Sequence, residues 1–196
     1  MQILLFFLLF ISSFYKLFTD TPKQQWLVTK GCSITVNGST NVNKFNCAIA
    51  NYNQPDTLTF HPNKQSEILK MTGKMKLPVE NFDCHNPMMS KDLQKILKAK
   101  DFPYLEIHFI SLSRYPNQEL KNDKIKGVLI IKLAGVSKKI EIEYLSKKIE
   151  VNKLTLIGKK KITFSDFNII PPRKIGGMIK TNNELDIEFV LNVKTL

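Results

Sequence analysis

Arginine is scarce in this chain. Of its 29 basic residues only Arg114 and Arg173 carry a guanidinium, the group that grips phosphates and base edges with two prongs, so no nucleic-acid partner is expected despite a formal net charge of +12. Lysine spread along the chain reads instead as a solvated cationic surface, one that favours acidic partners such as an anionic membrane surface. Histidine is thin as well: His61, His85 and His108 are scattered, and His108 falls on the polar side of an alternating segment, so no metal site is expected. The cysteines Cys32, Cys47 and Cys84 form no C-x-x-C pair, which argues against a zinc ribbon or a thioredoxin-type couple. G-x-S-x-G, H-E-x-x-H, G-x-G-x-x-G and P-loop patterns are all missing. Nucleophile-elbow hydrolysis, zinc proteolysis, dinucleotide binding and NTP hydrolysis therefore lack a warrant, and neither catalysis nor a cofactor is expected.

What is present begins with an apolar run. Met1 to Tyr15 carries no charge, Ile3 to Ile11 is unbroken Ile, Leu and Phe, and Lys16 and Asp20 close the segment. It is shorter than the ~20 apolar residues that span a bilayer and has the pattern of a secretory signal core. Residues 1–19 are read as a signal peptide, with the mature chain starting between Phe14 and Pro22, and residues 20–196 as a single periplasmic or secreted domain. Export would allow one disulfide and one buried thiol; the alternative is three reduced, buried cysteines.

The remaining periodicity is mostly two. Ile34 and Val36 alternate with polar residues before Asn37-Gly38, a pair suited to a tight hairpin turn, and Phe45, Cys47 and Ile49 follow. Leu105, Ile107 and Phe109 alternate in the same way. Val128 to Leu133 leads through Ala134-Gly135 into Ile140, Ile142 and Tyr144, and Leu185 to Val193 closes the series. One helix is expected, with Ser90 as N-cap, Leu93, Ile96 and Leu97 on its apolar face, and an end at Asp101-Phe102-Pro103. Successive strands with one apolar face each must close as a sandwich or a barrel.

Three segments resemble the YceI-like family of exported, lipocalin-like proteins that bind polyisoprenoid or other long apolar lipids: Leu97–Phe109 with its Phe-Pro, the hairpin Gly127–Ile140, and Ile162–Ile169 followed by Leu185–Leu191. Two more, Gly38–Cys47 and Phe82–Met89, are similar to the variant of that family common in Bacteroidetes-type bacteria. The chain departs from the family at Gly31-Cys32-Ser33, where many members have a His-Ser pair, and at Asn168, where glycine is usual. The resemblance implies an all-β fold, an antiparallel lipocalin-like β-barrel of about eight strands with one short α-helix. It also implies non-enzymatic binding of a polyisoprenoid, an isoprenoid quinone or a fatty-acyl chain.

Within such a barrel the candidate ligand-binding residues are the apolar members of alternating strands: Phe45, Ile107, Phe109, Leu129, Ile131, Ile142, Tyr144, Phe164, Ile187 and Phe189. The long segment Asn168–Met178 is expected to fold Ile170, Ile175 and Met178 over one barrel end as a lid, with Arg173 and Lys174 placed for an anionic headgroup. Cys47 and Cys84, both within the segments resembling the Bacteroidetes-type variant, are expected to be disulfide-bonded, leaving Cys32 free. Two other readings stand beside lipid binding. One is a small redox or haem-associated enzyme using Cys84, His85 and Met88 or Met89. The other is an anionic-surface module using the lysines around Lys138-Lys139, Lys147-Lys148 and Lys159-Lys160-Lys161.

Overall fold

The computed structural model describes residues 24–63, 66–117, 119–120 and 122–196, so the expected signal peptide lies outside the described residues. The strands are β1 (Gln25–Val28), β2 (Cys32–Ser39), β3 (Lys44–Tyr52), β4 (Thr57–Asn63), β5 (Ser66–Thr72), β6 (Lys74–Pro78), β7 (Tyr104–Leu112), β8 (Asp123–Leu133), β9 (Val136–Glu150), β10 (Lys153–Thr163), β11 (Arg173–Lys174), β12 (Ile179–Lys180) and β13 (Glu184–Thr195). Among the described residues one α-helix, α1 (Pro87–Ile96), lies between β6 and β7.

Three pairs of short strands are single broken staves. β1 and β2 both lie along β13, where Val28 pairs with Val193 and, after a bulge, Ser33 pairs with Val190. β3 pairs with β2 and β4 with β1, while β5 and β6 both lie along β7. These three staves and the continuous β7, β8, β9, β10 and β13 close an eight-stranded antiparallel barrel. Barrel strands contribute alternate apolar residues to the interior, as in β13, where Leu185, Ile187, Phe189, Leu191 and Val193 are buried, while β11 and β12 pair with each other outside the barrel sheet. The β8–β9 turn places Ala134 at φ 50 and Gly135 at φ 84, the two positive values that let a two-residue turn follow the strand twist.

Two local expectations are displaced. Asn37-Gly38 stays inside β2, and the turn falls instead at Thr40–Asn43, where Thr40 N donates to the Asn43 carbonyl at 2.7 Å. The helix is capped four residues before Ser90, by Asn86, whose Oδ1 accepts from Met88 N at 3.0 Å and Met89 N at 3.1 Å, with Pro87 at the first helical position. Ser90 Oγ instead accepts from Cys84 N at 2.9 Å.

The wall is not uniform. Among the described residues no ladder joins β3 to β6. That gap is bridged by the segment after β6, where Ala48 and Asp83 exchange two backbone hydrogen bonds at 2.8 and 2.9 Å and Cys47 is disulfide-bonded to Cys84. Cys32 is the free cysteine, buried in the bulge between β1 and β2. At the opposite barrel end, buried Asp123 accepts from both terminal nitrogens of Arg114 at 2.7 and 2.6 Å and from Asn117 N at 2.7 Å, pinning the β7–β8 connection.

Candidate functional site

The barrel is solid along one half and hollow toward one mouth. In the solid part the Phe109 and Phe189 rings stand 6.3 Å apart, and Trp26 packs edge-on against Phe60 at 4.6 Å. Tyr144 fills the space left by glycines on both neighbouring strands: a Cβ on Gly127 would lie 2.7 Å from its ring and one on Gly158 2.9 Å from it. Burial raises the Tyr144 hydroxyl well above its ordinary pKa, so it stays neutral.

Toward the mouth the interior opens. A crevice of about 220 Å³ lies between the β2–β3 turn, helix α1 and the segment carrying β11 and β12. Behind it is an apolar chamber of about 60 Å³. Phe45, Cys47, Leu93 and Phe164 wall both spaces, so these side chains form the partition between them. The Phe45 ring lies across Gly38 on the neighbouring strand, where any Cβ would overlap it. Helix α1 contributes Met89, Asp92, Leu93 and Ile96 to the crevice, and Asp92 is its one acidic wall residue.

The segment from Asn168 to Asn183 forms a flap at this mouth. It leaves the barrel through a 3-10 turn, Phe164–Phe167, closed by a reciprocal cap in which Thr163 N donates to Asp166 Oδ2 at 2.8 Å and Asp166 N donates to Thr163 Oγ1 at 3.1 Å. Asn168 follows at φ 55, a left-handed conformation that asparagine tolerates, which explains how it stands where the resembling family has glycine. Three of the contacts that tie the flap down involve Asn41 and Asp92. Asn41 Nδ2 donates to the Met178 carbonyl at 2.9 Å, Lys180 N donates to Asn41 Oδ1 at 2.9 Å, and Lys174 forms an ion pair with Asp92 of α1.

The expected site residues divide. Phe45 and Phe164 wall both spaces, and Ile131 and Ile187 wall the chamber. Ile107, Phe109, Leu129, Ile142, Tyr144 and Phe189 wall neither; they are buried in the packed half, which large rings seated against glycines have filled. The lid is corrected in its residues: the loop stands at the mouth, but Ile170, Ile175 and Met178 face solvent, and Pro172 and Ile179 line the crevice instead. The short ladder accounts for the division between the two cations. Lys174 pairs with Ile179 and Arg173 with Lys180, and because successive strand residues point to opposite faces, Lys174 joins the crevice while Arg173 turns away. Wall residues that strand alternation did not single out are Met89, Leu93 and Ile96; the helical spacing of Leu93 and Ile96 was visible, but it did not show that this face caps a cavity.

The redox reading loses its thiolate, because Cys84 is bonded to Cys47, and His85 and Met88 are exposed while Met89 turns into the crevice. Among the described residues no three His, Cys, Asp or Glu side chains gather as a metal site. The lysine clusters lie on the barrel wall, where Lys138, Lys159 and Lys161 pair with Asp166, Glu188 and Asp186 at 2.7, 2.9 and 3.1 Å. A larger cleft of about 480 Å³ runs between β3 and β6, but Asp56, Lys74, Lys76 and several asparagines line it, which does not suit an apolar chain.

No family model matches the chain, and no curated protein does. Solved structures match. BcnA of Burkholderia cenocepacia, 13% identical, aligns over 82% of this chain and 95% of its own with a TM-score of 0.60. A polyisoprenoid binding domain from Saccharophagus degradans, implicated in plant cell wall breakdown, is 6% identical and aligns over 87% of this chain and 98% of its own with a TM-score of 0.59. The chain shares their fold. Nearly the full length of each neighbour is matched, so the likeness is to the whole barrel rather than to a few hairpins.

Proposed function

We propose that this protein is a YceI-like lipid carrier without enzymatic activity, acting in the periplasm or outside the cell. It holds the end of a long apolar chain, a polyisoprenoid, an isoprenoid quinone or a fatty acyl group, in the mouth crevice. The observation that carries this reading is the crevice itself: an apolar space at the barrel mouth, backed by an apolar chamber and edged by Lys44 and Lys174. The fold shared with a polyisoprenoid binding domain supports it, as do the sequence segments resembling the YceI-like family. Each methylene moved from water into such a space contributes about 0.8 kcal/mol, so binding requires contact and no chemistry. The crevice is smaller than the ~300–1,000 Å³ of pockets that enclose drug-sized ligands. It therefore takes a chain end, and a longer stretch enters as the Phe45–Phe164 partition parts.

Mass spectrometry of organic extracts from the purified protein tests the ligand class, with a co-purifying isoprenoid or acyl lipid as the expected result. Leu93→Trp, which fills the space between crevice and chamber, should weaken capture of a fluorescent fatty acid by about tenfold or more, equivalent to about 1.4 kcal/mol. Unchanged affinity in that variant would place the ligand elsewhere. Intact mass of protein exported by a bacterial host tests the leader, and a mass that still includes residues 1–10 would count against it.

A further inference from the structure

The mouth is ringed by apolar side chains that no other described residue covers. Val42 at the tip of the β2–β3 turn is 59% exposed, Met88 in the first turn of α1 is 70% exposed, and Ile170, Ile175 and Met178 of the flap are 84%, 61% and 69% exposed. These belong to one surface, because Asn41 is bonded to the backbone at Met178 and Lys180, and Lys174 of the flap is paired with Asp92 of α1. Soluble proteins seldom gather large apolar side chains in this way without a partner for them. Ile175 adds a second cost. Its φ is 52°, a left-handed conformation unfavourable for a β-branched residue. An isoleucine that is both exposed and strained is not there for the stability of the barrel.

Charge identifies the partner. Lys44, Arg173 and Lys180 stand among these residues and form no ion pair among the described residues, while the crevice's acidic wall residue, Asp92, is taken by Lys174. Apolar tips projecting from a cationic rim match an anionic bilayer, which accepts the tips below its headgroups and the cations at them. We propose that the mouth rim, Val42, Met88, Ile170, Ile175 and Met178 with Arg173 and Lys180, docks on an anionic lipid bilayer, so that a lipid passes between membrane and crevice without crossing water. The docking rests on the carrier reading only in that the rim surrounds the crevice, and the test separates the two.

Co-sedimentation of the protein with vesicles of phosphatidylcholine alone and of phosphatidylcholine mixed with phosphatidylglycerol reads the docking directly. Binding to the anionic vesicles should exceed binding to the neutral ones by about tenfold and fall as salt is added. The triple variant Ile170→Ser/Ile175→Ser/Met178→Ser should lose about tenfold of that binding. Arg173→Glu/Lys180→Glu should erase the preference for anionic vesicles. Ile149→Ser/Val151→Ser, in the hairpin at the far barrel end, should change nothing. Capture of a soluble fluorescent fatty acid is measured on the same proteins and should survive in all of them; if the triple variant loses its fold by thermal unfolding, Met178→Ser alone replaces it. No vesicle binding by the unaltered protein overturns the docking, as does wild-type binding by the folded rim variant. Self-association abolished by the rim variant, without vesicle binding, overturns it in favour of a contact between copies. Vesicle binding without fatty-acid capture keeps the docking and overturns the carrier reading alone.

Discussion

At the scale of single residues, what decides between solid core and open space is the neighbour across the sheet. Tyr144 occupies space that Gly127 and Gly158 leave free, and a methyl group on Gly158 would meet both its ring and Ile142. Gly158→Ala should therefore cost about 1–3 kcal/mol in urea unfolding, as overpacking does. Alternation along a strand showed that Ile142, Tyr144 and Phe189 point inward, and they do. It did not show which inward residues meet a void, because that depends on side-chain volumes from two other strands. Asp123 illustrates a second residue-scale effect. The Arg114 guanidinium holds its carboxyl below the ordinary range, with Asn117 N adding to the shift and burial opposing it. A depressed carboxylate contributes its stability above the unfolded-state pKa, and that contribution drains away as pH falls through the folded-state value. Asp123→Asn should accordingly lower Tm by roughly 5 °C at pH 7, with the gap to the unaltered protein shrinking in acid. An undiminished gap at pH 3 would contradict this. Ile175 carries the opposite sign: Ile175→Gly relieves a left-handed backbone and should raise stability by about 1 kcal/mol in the same assay.

At the scale of elements, the flap and the helix set the opening. Lys174 sits on the crevice side of its ladder and is held by Asp92, so on the carrier reading an anionic headgroup would compete with Asp92 for a cation that is already in place. Lys174→Glu should weaken an anionic lipid while leaving its neutral analogue nearly unchanged, as judged by fluorescence titration of both; equal effects on the two would remove the headgroup role. The Asn41 side chain fastens the flap with one donated and one accepted hydrogen bond. Asn41→Ala should speed amide exchange across Arg173–Thr181 and leave β8–β10 protected. Most elements were legible: the alternating runs became strands and the Leu93, Ile96, Leu97 spacing became the helix. Asn37-Gly38 misled because its turn signal is local, whereas Gly38 serves a tertiary purpose as the floor under Phe45. The flap's position could be argued from its length, but its facing could not. A two-residue ladder fixes that facing, and a one-residue shift would invert it.

At the scale of the whole molecule, the barrel is hooped by backbone ladders everywhere except between β3 and β6, where the Ala48–Asp83 bridge and the Cys47–Cys84 disulfide span the gap. Closing 37 residues, that disulfide is worth about 3–4 kcal/mol in the chain-entropy picture. Cys84→Ser should lower unfolding stability by about that amount, measured against the untreated and the reduced protein. Closure as a sandwich or a barrel was foreseeable from the alternating strands, and the barrel from the resemblance to the YceI-like family, but three staves that break in mid-course were not, because where each break falls is defined only by the paired strand. The broken wall has a consequence for bore. Cys47 faces both the crevice and the chamber, so the one covalent lace in the wall runs beside the hollow part of the barrel rather than the solid part. With that lace cut, β3 keeps two backbone hydrogen bonds to its neighbour across the gap, so on the carrier reading proposed above the gauge of chain that the mouth admits would follow the thiol–disulfide poise around the protein.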